Sequence, residues 1–244
     1  GNGKGGGVAL VVLDPEQFGV DAATLSDSYI YAVAYLDKSC RDAVEETSIH
    51  PNFHVDHIHE MPKLETWGED LPALDSQPPD VVCYFVRPRE GRVDRFIADK
   101  LGDSICSSDR EAACQEFVFH TTHALNVEFY DRDGRTDAFV LSHGRNILIL
   151  KIVGYAEDVI RYYGLEDITA HVWIGHHRYP TRGRVTHPGG AYPFGQGIDC
   201  ALVHNGDFSN YVSVTDYLAQ RGMEPLFLTD TEVGALAFDL HRRV

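Results

Sequence analysis

Short apolar runs bounded by turn residues recur along the chain and predict β-strands. These runs are residues 8–13, 29–36, 81–87, 138–141, 147–153, 172–175 and 200–204. Helical spacing of the apolar positions predicts helices at residues 38–48, 157–163, 211–221 and 231–243. Because strands dominate the earlier part and two helices close the chain, the pattern predicts an α+β fold in which helices cover antiparallel sheet.

Three connections between these elements also have clear signals. The tetrapeptide His143-Gly144-Arg145-Asn146 lies between two strand-like runs and indicates a hairpin turn. Gly164 follows the helix predicted at 157–163 and is a typical helix stop. Residues 67–79 contain three prolines, which predicts an exposed connection.

The composition indicates one globular domain with an acidic surface. The chain has 244 residues, of which 43% are hydrophobic, and this is enough to bury one sizeable core. A formal charge of -16 repels phosphate backbones and anionic lipids, so neither nucleic acid nor a membrane is an expected partner. No run approaches the roughly 20 apolar residues of a membrane span, and the start does not resemble a secretory signal.

The cysteines and the chain ends add two expectations. Five cysteines without CxxC spacing argue against a disulfide framework or a zinc knuckle, and this usage is typical of the cytoplasm. Cys83 and Cys200 lie in apolar runs, where buried, unreactive thiols are expected. The last helix stops without a closing turn and the chain begins in a glycine lead-in, so we expect a single domain over residues 1–244, truncated at both ends.

A histidine-rich segment is the densest candidate for metal binding. Four histidines fall between His50 and His59, and on a strand His57 and His59 would share one face. With Asp56 or Glu60 they could hold a divalent ion, although the spacing matches no standard site. A solvated strand rich in histidine is the alternative, and no metal site is assigned.

Four short motifs in the last third of the chain carry complementary chemistry. They are Gly-His-His-Arg-Tyr-Pro-Thr at 175–181, Ala-Tyr-Pro-Phe at 191–194, Val-His-Asn-Gly at 203–206 and Leu-Thr-Asp-Thr-Glu-Val at 228–233. Each has a structural explanation of its own. The Asn-Gly pair is common in turns, and Thr-Asp-Thr-Glu is a capping box that places acid at the positive end of a helix.

Taken together, the motifs suggest an amino acid substrate. Arg178 can hold a carboxylate through two hydrogen bonds, and Asp230 can hold an ammonium group. The Asn205 amide and the Gly206 backbone N–H can face a developing oxyanion, which implies attack on an acyl carbon. An amino acid with a side-chain amide fits this combination.

In this order, the motifs resemble those of the class II glutamine amidotransferase (glutaminase) domain, of the glutamate-synthase type. That family belongs to the N-terminal nucleophile hydrolases, and the resemblance implies a four-layer αββα sandwich of antiparallel sheets. The glycine segment at residues 1–8 is similar to a glycine segment of the family, whereas the resemblance over residues 22–134 is weak.

The resemblance also assigns roles to individual residues. Arg178 and Asp230 match the residues that clamp the α-carboxylate and α-amino groups of glutamine, and Asn205 with Gly206 matches the oxyanion hole. Three further residues match the lining of the substrate pocket: Tyr179, Thr181 and Tyr192. Many relatives have histidine at the position of Tyr192.

The nucleophile is where this sequence departs from the family. The family uses an N-terminal cysteine whose own α-amino group acts as the base, and here residue 1 is glycine. We therefore expect the cysteine upstream of these residues. The implied function is hydrolysis of L-glutamine to glutamate and ammonia, with the ammonia passed to a synthase subunit or domain within an oligomeric complex. This domain would need no cofactor, whereas FMN and iron–sulfur clusters would lie on the partner.

Two other functions stay open. The first is a catalytically inactive glutamine-binding or assembly module that lacks the nucleophile cysteine. The second is a metal-dependent hydrolase that uses the histidine-rich segment.

Overall fold

The computed structural model describes residues 5–101, 109–131, 136–178 and 187–243. The strands are β1 (Gly5–Leu13), β2 (Tyr29–Tyr35), β3 (Phe53–Glu60), β4 (Asp80–Pro88), β5 (Ala138–Gly144), β6 (Ile147–Ile152) and β7 (Ala170–Arg178). The helices are α1 (Ala22–Asp27), α2 (Arg41–Val44), α3 (Trp67–Asp70), α4 (Glu90–Phe96), α5 (Arg110–Asn126), α6 (Ala156–Tyr162), α7 (Tyr211–Ala219) and α8 (Asp230–Arg243). Shorter 3₁₀ or π turns cover Pro15–Phe18, Lys38–Cys40, Glu45–Ile49, Ile97–Leu101, Val127–Asp131 and Pro188–Gly190.

The strands form two sheets in which every neighbouring pair is antiparallel. The first sheet has the order β6-β1-β7 and the second has the order β3-β4-β2-β5. This confirms the prediction of an α+β fold with antiparallel sheets. Three of the described strands, β2, β5 and β6, are buried along their whole length, which explains why their sequences are continuous apolar runs rather than alternating ones.

Two hydrophobic clusters divide the core. One joins residues from both sheets, including Val8 and Leu10 of β1 with Ile30 and Ala32 of β2. The other joins the alternate residues of β2, such as Tyr31, to the inner face of α5 and neighbouring helices. The second sheet is therefore covered on both faces, an arrangement compatible with a sandwich.

The prediction of a hairpin around residues 143–146 is wrong, because the two flanking strands do not pair with each other. The two strands do follow each other with a short turn, but β5 pairs with β2 and β6 pairs with β1. The turn is fixed to β1 instead, because the Asn146 side chain accepts a 2.6 Å hydrogen bond from the Leu13 N–H. This connection therefore carries the chain from one sheet to the other.

Two further predictions need correction. The run at 200–204 is not a strand, because only Leu202 forms a bridge, to Phe194. The segment at 67–79 begins with α3 and is not an exposed connection throughout, since Leu71 and Leu74 are buried in the core. The carbonyl oxygen of Pro79 also accepts a 2.8 Å hydrogen bond from the Tyr163 hydroxyl, which holds the end of this segment against α6.

Among the described residues, no helix has the length and apolar character needed to cross a membrane.

Candidate active site

A row of three residues across the first sheet, the floor, is joined to the candidate site through Tyr192. Gly7 of β1 lies opposite Lys151 of β6 and His176 of β7, so all three share one face of the sheet. The chain crosses this row at Tyr192, and a Cβ atom on Gly7 would overlap the Tyr192 carbonyl oxygen. Glycine is required at residue 7 because the backbone of another segment packs directly against it.

His176 connects the floor to the Asn-Gly motif. Its ring lies 4.6 Å from the Tyr192 ring, centroid to centroid, and its Nε2 lies 2.6 Å from Oδ1 of Asn205. Because an amide oxygen only accepts, Nε2 of the histidine must donate this hydrogen bond. The contact occupies the oxygen of Asn205 and leaves the amide NH₂ to donate elsewhere.

Asp230 is held at the start of α8, where the helix dipole favours a carboxylate. Its Oδ2 accepts a 3.2 Å hydrogen bond from the Phe208 N–H, and its Oδ1 accepts a 3.3 Å bond from the Thr231 hydroxyl. The Nδ1 atom of His204 lies 3.9 Å from Oδ2. His204 and Asn205 are adjacent in sequence, so the two predicted residues Asn205 and Asp230 belong to one connected cluster.

A cavity of about 370 Å³ opens beside this cluster. Tyr192 and Asp230 both line it, together with polar residues of the loop that precedes α7, including Asp207 and Ser209. Its volume lies at the small end of the range for ligand pockets and suits a molecule the size of an amino acid. Asp230 supplies an anionic group to its wall.

The loop before α8 is anchored by Glu232 rather than by a reciprocal capping box. The Thr229 hydroxyl accepts a 3.2 Å hydrogen bond from the Glu232 N–H, as the motif predicts. The fully buried Glu232 carboxylate instead accepts bonds of 2.6 and 2.8 Å from the N–H groups of Leu226 and Phe227. This carboxylate therefore fixes the segment that leads to Asp230.

Burial raises the pKa of Glu232 to about 7, despite the opposing effects of the backbone donors and the charge of Lys151. Lys151 is itself fully buried, with its Nζ 4.2 Å from the centre of the Phe194 ring and 3.4 Å from the Gly189 carbonyl oxygen. The sequence interpretation missed Lys151 because it lies inside an apolar run, and it treated Glu232 only as a helix cap.

The remaining predicted residues are placed less completely. Arg178 is the last residue of β7 and pairs with Gly5 of β1, but its side chain lies outside the described residues, as do Tyr179 and Thr181. Gly206 has a φ of 154°, and a Cβ there would come within 3.1 Å of Nε2 of His204. The structure thus brings Asn205, Asp230 and Tyr192 into one neighbourhood.

Three of the described cysteines lack the character of nucleophiles. Cys83 and Cys200 are buried, and burial raises their thiol pKa values to about 12 and 11. Burial also raises the pKa of the Cys114 thiol. A nucleophilic cysteine needs a lowered pKa, so Cys83 and Cys200 match the expectation of structural thiols, and Cys114 also lacks this character, while Cys106 lies outside the described residues.

The histidine-rich segment forms β3, with His57 and His59 turned toward the aromatic rings of Phe85 and Phe18 at 5.7 and 5.1 Å. Burial lowers the pKa of His59. The two carboxylates proposed as co-ligands bind arginines instead: Asp56 binds Arg87 and Glu60 binds Arg41. Within the described ranges, no group of three or more metal-ligating side chains is suitably placed to hold a metal ion.

Comparison with known proteins supports a glutamine amidotransferase-type domain. The chain is 36% identical to the glutamine amidotransferase-like protein GlxB of Rhizobium meliloti over 101 residues, 41% of this chain and 33% of that protein. It is 29% identical to the amidophosphoribosyltransferase of Methanothermobacter thermautotrophicus over 140 residues, 56% of this chain and 29% of that protein.

A third relative matches over the whole chain. It is an uncharacterized protein of Archaeoglobus fulgidus, 31% identical over 249 residues, and the match covers 100% of this chain and 55% of that protein. The chain therefore spans about half the length of this relative and about a third or less of the other two. No family model matches the chain.

Proposed function

We propose that this domain is a class II glutaminase that hydrolyses L-glutamine to glutamate and ammonia. The observation that supports it best is that Asp230 lines an amino-acid-sized cavity and lies 3.9 Å from His204, the neighbour of Asn205 in sequence. The reaction requires a carboxylate that binds the ammonium group of the substrate and an amide that donates to the oxyanion. Asp230 and Asn205 can supply these two groups.

In the proposed reaction, Asp230 binds the α-ammonium of glutamine and Arg178 binds its α-carboxylate. A cysteine outside these residues loses its thiol proton to its own α-amino group, the general base, and the thiolate attacks the side-chain amide carbon while the carbonyl π electrons move onto oxygen to form a tetrahedral oxyanion. The NH₂ group of Asn205, oriented by His176, and the N–H of Gly206 donate to that oxyanion. Collapse expels ammonia, which takes a proton from the general base, and leaves a thioester that water hydrolyses to glutamate.

The proposal also includes the fold family, the ammonia acceptor and the compartment. The two sheets and their flanking helices would correspond to the αββα sandwich of N-terminal nucleophile hydrolases. The ammonia would pass in the cytoplasm to a glutamate-synthase-like subunit or domain that carries FMN and iron–sulfur clusters. The matches cover only part of the length of these longer relatives, which fits a domain that works beside a second one.

The test is a glutamine-to-glutamate assay on the complete natural polypeptide. We expect Asp230→Asn to raise KM by about tenfold to a hundredfold, since a charge-assisted contact contributes about 1.5–3 kcal/mol. Asn205→Ala should lower kcat by about a hundredfold or more, as loss of an oxyanion donor does. The control is Asp216→Asn on the exposed side of α7, which should leave both constants unchanged.

The alternative of an inactive binding module predicts a different result. Calorimetry would then show glutamine binding that Asp230→Asn weakens, without turnover by the complete polypeptide. Absence of both binding and turnover would refute the glutamine site altogether.

A further inference from the structure

A groove lined by arginines lies between β3, β4, α4 and α5. Its volume is about 770 Å³. Six of the 21 basic residues of the chain line it: Arg87, Arg89, Arg92, Arg95, Arg110 and Arg145. This concentration of positive charge is notable in a chain whose formal charge is -16.

Three of these arginines are engaged by carboxylates and serve the fold. Arg87 makes two 2.7 Å hydrogen bonds to Asp56. The other two pairs are Arg110 with Asp94 and Arg145 with Glu111. Their charges are therefore largely balanced within the protein.

The other three arginines lack a carboxylate partner among the residues that the structure describes. Arg89 donates from Nε to the His50 carbonyl oxygen at 2.9 Å, and Arg92 donates to Oδ1 of Asn52 at 2.9 and 3.2 Å. Arg95 makes no hydrogen bond or ion pair to the described part of the chain. Both acceptors that are used are neutral, so within the described part of the chain none of these three guanidinium groups is neutralised by a direct ion pair.

The spacing of these three residues sets the size of the anion that they can hold. Arg89 precedes α4, Arg92 lies in its first turn and Arg95 in its second, so each is three residues from the next. Arg92 and Arg95 are separated by about 4.5 Å along the helix axis, and Arg89, in extended backbone before the helix, makes the row longer than one phosphate group. Two carboxylates, Asp27 and Glu90, also line the groove and offset part of its positive charge, and Glu90 directly follows Arg89 in sequence. The end of the row at Arg92 and Arg95 is therefore the more favourable position for an anion.

We propose that this groove binds a small molecule carrying two or more phosphate groups, at a site separate from the glutamine cavity. Guanidinium groups pair with phosphate oxygens through two parallel hydrogen bonds, and three of them in a row match a diphosphate. The concave shape and the volume are those of a small-molecule site rather than a flat protein contact. The residues lining this groove and the amino-acid cavity do not overlap.

The test is calorimetric titration of the protein with inorganic pyrophosphate at physiological salt. We expect saturable binding with one site per chain, and binding of orthophosphate weaker by about tenfold or more because it reaches fewer arginines. Arg92→Ala with Arg95→Ala should weaken pyrophosphate binding by about tenfold or more. Arg161→Ala, on the exposed side of α6, is the matched control and should have no effect.

Several outcomes would overturn the proposal. These are absence of saturable binding at millimolar pyrophosphate, equal loss in the Arg161→Ala control, or binding of poly-glutamate but not pyrophosphate. If the double variant fails to fold, Arg95→Ala alone decides, since it removes no hydrogen bond to the described chain and should still weaken pyrophosphate binding. Because the readout is binding of pyrophosphate, it does not depend on glutaminase activity.

Discussion

The buried carboxyl of Glu232 should make the stability of the domain depend on pH in a direction opposite to that of most acidic residues. Its folded-state pKa is about 7, against 4.5 as the ordinary value, because burial disfavours the charge. Between these values the folded state holds a proton that the unfolded state has released. Its contribution to stability is therefore fully present below pH 4.5 and is lost as the pH rises to 7.

The size of the effect follows from the difference between the two pKa values. A difference of 2.5, from 4.5 to about 7, corresponds to about 3 kcal/mol of free energy of unfolding. Glu232→Gln removes the titration while leaving an oxygen for one of the two N–H donors. Between pH 4.5 and 7, the free energy of unfolding of the wild-type protein should therefore fall by about 3 kcal/mol relative to that of Glu232→Gln. Above pH 7 the difference between the two proteins should stay nearly constant.

The measurement is urea unfolding followed by circular dichroism at pH 4.5, 5.5, 6.5 and 8. Paired aspartates such as Asp56, whose pKa is lowered by Arg87, act in the opposite direction but are common to both proteins and cancel in the difference. The control is Glu166→Gln, which removes an exposed carboxylate. Its free energy of unfolding should depend on pH in parallel with that of the wild type. Parallel curves for wild type and Glu232→Gln would show that this carboxyl is not held protonated by burial.

Two further predictions concern packing and thiol reactivity. Gly7→Ala should destabilise the domain by about 2 to 3 kcal/mol in urea unfolding, because its Cβ would overlap the Tyr192 carbonyl oxygen, whereas Gly68→Ala meets nothing within 4 Å and should be neutral or slightly stabilising. A neutral Gly7→Ala would mean that the Tyr192 segment does not pack on β1. Cys83 and Cys200, with pKa values raised to about 12 and 11, should resist iodoacetamide at pH 8 until guanidinium unfolds the protein. Native labelling of either at the rate of a free thiol would contradict their burial.

The continuous apolar runs were the part of the fold that sequence could predict. The strands at residues 29–36 and 81–87 were recovered because every position from Tyr29 to Tyr35 and from Val81 to Val86 is buried. The run at 200–204 has a similar composition, but only Leu202 forms a bridge, to Phe194, so this run does not extend either sheet. Composition cannot distinguish these cases, because the difference lies in contacts between distant residues.

The arginine groove was missed for a related reason, although one signal was present. Arg87, Arg89, Arg92 and Arg95 are close in sequence and could have marked a basic surface. The fold brings Asp56 and carboxylates of other elements alongside these arginines, and these contacts decide which of the arginines are neutralised. Sequence therefore indicates the cluster but not the three arginines without a direct ion pair in the described part of the chain, on which the proposed binding depends.

Support for the candidate site comes from residues that do not line its cavity. Gly7 allows the Tyr192 backbone to pack on β1, and Glu232 fixes the segment that ends at Asp230, so the two walls are held by separate parts of the core. Binding of an amino acid is strongest when its partners are already in place, since no loop must then be ordered. The local sequence suggested the residues that we propose to contact such a ligand, because their chemistry is explicit. It could not identify their supports, because a glycine in a strand and a glutamate in a helix acquire those functions only through tertiary contacts.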